Sequence, residues 1–136
     1  MNPHYNQNYS REEIAAVLQI IKSCVENGNY TISLNENRQE NINFINEYNI
    51  RSDKQKSILM QIKTNDFCHS LQNTKAGYES EVLYVFVPQV QLFNAEGEEE
   101  TVSIYTKINI IDLPFGSRIV VISFHKRNKP IDYLFR

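Results

Sequence analysis

Several features that define large classes of proteins are missing from this chain of 136 residues. No run approaches the roughly 18 consecutive apolar residues that a membrane-spanning helix requires. The opening residues, MNPHYNQNYSREE, lack the basic segment and apolar core of a secretory signal. There is no internal repeat, no low-complexity linker and no glycine-rich phosphate loop. We therefore expect one domain over residues 10–136, preceded by a mobile tail at 1–9, in a cytoplasmic protein without membrane contact.

Residues that hold metals or form disulfides are scarce. The chain has two cysteines, Cys24 and Cys68, and three histidines. The cysteines form no CxxC pair, and two reduced thiols in a cytoplasmic protein are the expected interpretation. No HxE…CxxC, HExxH or clustered-carboxylate pattern indicates a metal site. The sequence therefore predicts neither a metal nor another cofactor.

Charge is distributed unevenly behind a net value of −2. Residues 1–64 are neutral, residues 65–100 carry −6 and residues 101–136 carry +4. A basic C-terminal third favours an anionic partner there. A solvated sheet face would explain the same charges at least as well.

Helix signals dominate the first half of the chain. Ser10 and Glu13 form a capping box ahead of an apolar stripe at helical spacing, and Gly28 is placed to end that helix. Residues 64–66 are a second cap signal. The remaining elements predicted before residue 73 are a strand at 30–34, helices at 36–48 and 52–62, and a short helix containing Phe67, His69 and Leu71.

The apolar period changes from 3.6 to 2 after residue 80. Strands are predicted at residues 81–92, 101–111 and 118–124. The turns between them, at 94–100 and 112–117, are short and contain glycine, which favours antiparallel neighbours. Residues 133–135 are a candidate edge strand. Helices followed by a strand meander predict an α+β fold, with N-terminal helices packed on a C-terminal antiparallel sheet.

Polar residues that suit RNA chemistry fall on two of these strands. Tyr105 and Lys107 share one face of the middle strand. The last strand is apolar on both faces, which predicts a buried central strand, and it ends in His125, Lys126 and Arg127. RNA cleavage without a metal needs a proton acceptor for the 2′-hydroxyl, stabilisation of the phosphorane and a proton for the 5′-oxygen.

Histidine transfers protons near neutral pH, lysine and arginine stabilise phosphate charge, and tyrosine contacts phosphate or base. Pattern alone nevertheless favours an ordinary surface histidine at 125 and a Lys107 stem that covers apolar neighbours. It predicts a polar, partly basic sheet face rather than an enzyme.

Three segments resemble the MqsR (motility quorum-sensing regulator) family of RelE-like mRNA interferase toxins. Residues 58–70, ILMQIKTNDFCHS, are similar to the family's helix and its Asp-Phe-Tyr-Lys-Ser element. Residues 105–108, YTKI, resemble its Tyr-Leu-Lys-Ile strand, and residues 122–125, ISFH, its Val-Ser-Phe-Lys ending. The order and spacing of all three agree. Together they span residues 57–125, about half of the chain.

The resemblance implies a type II toxin with a RelE-like fold. Such a toxin is a metal-independent endoribonuclease that cleaves mRNA, free or on the ribosome, and a cognate antitoxin protein holds it inactive. Tyr105 falls at the family's catalytic tyrosine, and His69 and His125 replace two of its lysines. Tyr84 or Val85 falls where the family has its active-site glutamine. The predicted site residues are His69, Tyr105 and His125 for catalysis, and Lys107, Lys126, Arg127 and Tyr84 for substrate binding.

A second class of function stays open on the same fold. The polar sheet face would then bind a protein partner without catalysis. The acidic turn at residues 94–100 fits this alternative slightly better, because it would repel RNA.

Overall fold

The computed structural model describes residues 4–136, so the first three residues of the predicted tail lie outside the described part of the chain. Its helices and strands are, in chain order, α1 (Arg11–Glu26), β1 (Tyr30–Ile32), α2 (Gln39–Glu47), α3 (Ser52–Met60), β2 (Phe67–Gln72), β3 (Val82–Phe86), β4 (Gln89–Phe93), β5 (Glu99–Leu113) and β6 (Gly116–Lys126), with short 3₁₀ helices at Glu36–Arg38 and Thr64–Asp66. The predicted α+β class is confirmed. None of the helices within residues 4–136 is both long and apolar enough to cross a membrane.

Helix α1 begins and ends where its local signals predict. Ser10 Oγ accepts the Glu13 N–H at 3.1 Å, and the Glu13 carboxylate accepts the Ser10 N–H at 2.8 Å. Gly28 takes φ +74°, a left-handed conformation that glycine adopts without strain, and the Asn29 N–H reaches the Cys24 carbonyl at 2.7 Å. The apolar stripe of the helix is buried against the sheet and α3: Ile14, Leu18, Ile21 and Val25.

The strands form one sheet in the order β1-β6-β5-β3-β2, and β4 pairs with β5 beyond the end of β3. Strand β5 runs antiparallel to β3, β4 and β6, which confirms the antiparallel arrangement of the three predicted runs. β1 joins β6 in parallel, with Tyr30 opposite Ile119, so the complete sheet is mixed. The first run divides at Pro88, because proline has no N–H for the ladder.

Two predicted elements are wrong. Residues 67–72 form strand β2 and not a short helix; the cap signal before them produces only the 3₁₀ helix Thr64–Asp66. Pairing along β3, from Phe67 opposite Phe86 to Gln72 opposite Val82, outweighs the local helix signal. Residues 133–135 are not a strand, although the Leu134 N–H donates to the Phe67 carbonyl at 3.0 Å.

Strand β6 is the buried central strand that its apolar faces predict. It lies between β1 and β5, and Ile119, Val121 and Phe124 are fully buried. Helices α1 and α2 both pack on it. The hydrophobic core therefore lies between the helices and one face of the sheet, which leaves the opposite face for other contacts.

Beyond Val121 the outer edge of β6 is completed by a side chain. Asn41 of α2 accepts the Phe124 N–H at 2.9 Å and donates to the carbonyls of Ile122 at 3.0 Å and Ser33 at 2.9 Å. Asn41 is only 1% exposed, so these bonds satisfy backbone groups that water cannot reach. They also fix the start of α2 against the end of β6, where His125 lies.

Candidate active site

Four of the predicted site residues share the sheet face that points away from the helices. His69 lies opposite Val85 of β3, and Val85 lies opposite Lys107 of β5. Tyr105 of β5 lies opposite His125 of β6. Directly opposed residues point to the same face of a sheet. We call the surface formed by His69, Tyr105, Lys107 and His125 the polar face.

A bulge in β2 places His69 on this face. The register shifts between Phe67 and His69. Phe67 belongs to the core on the helix side, whereas Cys68 packs with Val85 and Tyr105 on the other side. No local pattern in the sequence signals the bulge, because it arises from the pairing of β2 with β3.

The rings of Tyr105 and His125 stack, with centroids 5.4 Å apart and planes at 18°. His125 Nδ1 lies 2.8 Å from the carbonyl oxygen of Lys126 and 3.6 Å from a carboxylate oxygen of Glu40. Since a carbonyl oxygen only accepts hydrogen bonds, this contact assigns the proton of the neutral ring to Nδ1. Nε2 is then the nitrogen that can take up a proton.

Tyr105 is 4% exposed. Burial raises the pKa of its phenol to about 12, so the hydroxyl stays protonated at neutral pH. The ammonium of Lys129 lies 5.3 Å from the centroid of the Tyr105 ring. The phenol can therefore donate a hydrogen bond to an anion, but it is no base.

His69 lies beneath the N-terminal segment. Its ring is 2% exposed and stacks on Tyr5 at 3.7 Å, with the planes at 7°. Burial, reinforced by the charge of Lys129, lowers its pKa to about 4, so the ring is neutral at neutral pH. Within residues 4–136, His69 Nε2 has no hydrogen-bond partner.

Cations without carboxylate partners lie around Lys107. Burial lowers the Lys107 pKa, and the charges of Arg38 and Lys129 lower it further. Among the described residues, no carboxylate forms an ion pair with any of these three side chains. Their combined positive charge would stabilise a bound anion.

Two of the other predicted substrate contacts, Lys126 and Tyr84, lie away from the polar face. The Lys126 ammonium bonds the Glu47 carboxylate at 2.9 Å, away from the polar face. Tyr84 packs against the helix-side core, with its ring centroid 6.3 Å from that of Tyr9. Arg127 follows β6, and its guanidinium donates to the Lys129 carbonyl at 3.0 Å.

Two chain segments cover part of the polar face. Asn6, in the predicted tail, exchanges backbone hydrogen bonds of 2.9 and 3.0 Å with Ser70, and Gln7 donates to the Cys68 carbonyl at 2.9 Å. At the other end, the Tyr133 hydroxyl donates to the Val87 carbonyl at 2.7 Å. Lys107 and His125 remain partly open to solvent, whereas His69 and Tyr105 are covered.

Arg38, Glu40 and Lys129 join the site without having been predicted as site residues. Arg38 ends the 3₁₀ helix just before α2 and Glu40 lies in the first turn of α2, and only the packing of α2 on β6 brings them near His125. Lys129 lies in the basic C-terminal third of the chain, and this local excess of positive charge was the only sequence signal that pointed to it. Over the described residues, no group of three or more His, Cys, Asp and Glu side chains is arranged to hold a metal ion.

No protein-family model, curated protein or solved structure matches this chain. The resemblance to the MqsR family therefore rests on its three sequence segments. What further bears on function is the placement of side chains on the polar face.

Proposed function

We propose that this protein is the toxin of a type II toxin–antitoxin system, a metal-independent endoribonuclease that cleaves mRNA and thereby arrests translation. The observation that carries the proposal is the stacked pair of Tyr105 and His125 on the same face as the Lys107 ammonium. A proton acceptor, a neutral hydrogen-bond donor and a cation then lie on adjacent strands, which is the set that metal-free phosphodiester cleavage needs. The resemblance to the MqsR family supports the same assignment.

In the proposed reaction, His125 Nε2 takes the proton of the 2′-hydroxyl as the 2′-oxygen attacks phosphorus. The phenol of Tyr105 donates a hydrogen bond to a nonbridging oxygen, and the charges of Arg38 and Lys129 stabilise the phosphorane. The bond from phosphorus to the 5′-oxygen breaks, and Lys107 supplies the proton to that oxygen. Its lowered pKa makes it a better acid than an exposed lysine. The products are a 2′,3′-cyclic phosphate and a 5′-hydroxyl.

His69 does not act as the acid in this scheme, because its ring is not an imidazolium at neutral pH. With a pKa of about 4 it is neutral at the pH of the cell interior, so it cannot replace the lysine charge of the resembled family. A neutral ring could still accept a proton, but Tyr5 covers His69, so we assign the role of base to His125.

The decisive experiment replaces His125 with alanine and measures cleavage of a defined mRNA by the purified protein, with chelator present throughout. Loss of the base should slow cleavage by roughly 10²–10⁴-fold. Stability in urea should change little, because the His125 ring lies outside the core. His125→Lys is the matched variant: substantial activity in it would indicate charge stabilisation instead of proton transfer. A folded His125→Ala variant that cleaves as fast as the parent refutes the assignment.

Expression in a bacterial host tests the cellular role. The parent chain should arrest growth, His125→Ala should not, and the product of the adjacent reading frame should relieve the arrest and co-purify with the chain. Arrest by both the parent and His125→Ala would show that toxicity does not depend on cleavage.

A non-catalytic interaction domain is the second candidate, and the covered state of His69 and Tyr105 favours it. An RNA can reach these rings only if Tyr5 and the C-terminal segment move aside, which the proposed reaction requires at Tyr105 and a non-catalytic role does not. This candidate predicts a stable protein complex on the polar face and no cleavage of any RNA at any concentration of chain.

A further inference from the structure

A cleft of about 940 Å³ opens beside Lys107 on the polar face. Its floor includes Leu71 of β2 and Leu83 of β3, and one wall is the loop that contains Lys75. Arg38 lines both this cleft and the neighbouring hollow that contains His125. The cleft therefore includes Lys107 and adjoins the hollow of His125 through Arg38.

Three cations from separate parts of the chain converge on this cleft. Arg38 comes from a 3₁₀ helix, Lys75 from the loop after β2 and Lys107 from the middle of β5. The only acidic side chain among the residues that line it is Glu79, whose carboxylate instead accepts the N–H of Gly77. With three cations and one carboxylate among the lining residues, the cleft carries a net positive charge.

An exposed aromatic ring accompanies these charges. Tyr78 lies on the same loop, is 47% exposed, and has the Lys75 ammonium 5.1 Å from its ring centroid. Rings beside cations are the features that bind single-stranded nucleic acid, because the ring stacks on a base while the cation contacts a phosphate. An acidic protein segment would use the cations and leave the ring without a role.

We propose that this cleft binds single-stranded RNA, with Arg38, Lys75 and Lys107 contacting phosphates and Tyr78 stacking on a base, next to the nucleotide at His125. The choice of RNA rests on the proposed function, but binding can be measured without cleavage. The strand then crosses the polar face from His125, past Arg38, to the loop of Lys75.

The test is fluorescence anisotropy of the full chain with a labelled 2′-O-methyl oligonucleotide of about ten nucleotides. This probe lacks the 2′-hydroxyl nucleophile, so the unmodified protein cannot cleave it. Lys75→Ala and Arg38→Ala should each weaken binding by roughly 3- to 10-fold and lower the slope of log affinity against log salt by about 0.7. Tyr78→Ala should weaken binding by roughly 5-fold or more.

Arg51→Ala is the matched control. Arg51 is exposed at the start of α3, on the helix side of the sheet, and its removal changes the net charge as the others do. It should leave the affinity and the salt slope unchanged. Lys75→Glu reverses a charge of the cleft and should not disturb folding, because Lys75 is exposed on a loop. A loss of binding in this variant can therefore be attributed to the charge.

Two outcomes would overturn the inference. One is a Lys75→Glu variant that binds the oligonucleotide as tightly as Arg51→Ala does. The other is polyglutamate that displaces the probe as well as RNA of equal length, which would reassign the cleft to an acidic protein segment. Cleft-dependent binding by a parent chain that cleaves no RNA would overturn the proposed function alone.

Discussion

His69 and His125 are the same residue type on the same sheet face, yet their surroundings differ. His69 is covered by Tyr5, and its Nε2 has no hydrogen-bond partner in the described part of the chain. The side chain of His125 is 14% exposed, and its Nδ1 contacts a carbonyl oxygen. Burial disfavours the charged ring, so the covered histidine stays neutral. At the scale of single residues, burial therefore decides which of the two rings solvent can reach.

The depressed pKa of His69 predicts a specific dependence of stability on pH. Its pKa falls from 6.5 in the unfolded chain to about 4 in the folded protein. The unfolded chain therefore binds more protons between these values, and stability falls as the pH is lowered through that window. Above pH 6.5 the ring is neutral in both states and the effect disappears.

We expect His69 to account for roughly 3 kcal/mol of the stability lost between pH 7 and pH 4. The measurement is urea unfolding of the parent and of His69→Phe, which keeps a ring for Tyr5 to stack on. Both proteins contain the same carboxylates, which also titrate in this pH range. The pH dependence of the difference between the two unfolding free energies therefore reports on His69 alone. A difference that stays constant over the whole pH range would contradict a neutral buried ring.

At the scale of elements, the contact between α2 and β6 connects the fold to the site. Asn41 holds the free edge of β6, and Glu40, the residue before it, lies 3.6 Å from His125 Nδ1. The Asn-rich composition of this segment predicts a partly exposed helix, which is confirmed. The composition does not distinguish Asn41, which makes three hydrogen bonds in a buried setting, from the exposed asparagines around it.

Asn41→Ala should lower the unfolding free energy by about 2–4 kcal/mol, because the Phe124 N–H and two carbonyls lose their partner in a buried setting. Asn43→Ala, on an exposed position of the same helix, should change it by less than about 0.5 kcal/mol. Urea unfolding of both variants measures the difference. Equal effects of the two substitutions would show that the edge of β6 does not need Asn41.

At the scale of the whole molecule, charge is separated between regions. The turn between β4 and β5 contains Glu96 and Glu98, while Arg38, Lys107 and Lys129 place positive charge on the polar face. The turn itself is held by Asn94, whose side-chain oxygen accepts the N–H groups of both glutamates at 3.0 and 2.9 Å. Its carboxylates are therefore free to be changed without loss of the turn.

Replacing Glu96 and Glu98 by glutamine should raise the affinity for the uncleavable oligonucleotide by about 2- to 3-fold at low salt. The gain should vanish at high salt, where the screening length falls to about 3 Å. The same exchange at Glu12 and Glu26 of α1 changes the net charge equally but on the helix side, and it should have a smaller effect. Equal gains from both pairs would mean that net charge alone governs binding.

Local signals predicted much of the fold, because each acts over a few residues. The capping box of Ser10 and Glu13, the left-handed Gly28 and the alternation along β5 and β6 all predicted their elements correctly. The same alternation placed Tyr105 and Lys107 on one face. Local signals failed at β2, where pairing with β3 contributes more free energy than a helix cap does.

By itself, then, the sequence determined the fold class, the antiparallel order of the strands from β3 to β6, and the shared face of Tyr105 and Lys107. These features follow from the residue periodicity and from the short links between strands. Only the tertiary structure decided that His69 joins that face under Tyr5, that Arg38 and Glu40 reach it, and that Lys126 is turned toward Glu47. Strand register, the β2 bulge and the packing of α2 on β6 depend on contacts between residues far apart in the chain. The free energy of these long-range contacts depends on residues from many parts of the chain, so a short stretch of sequence cannot predict them.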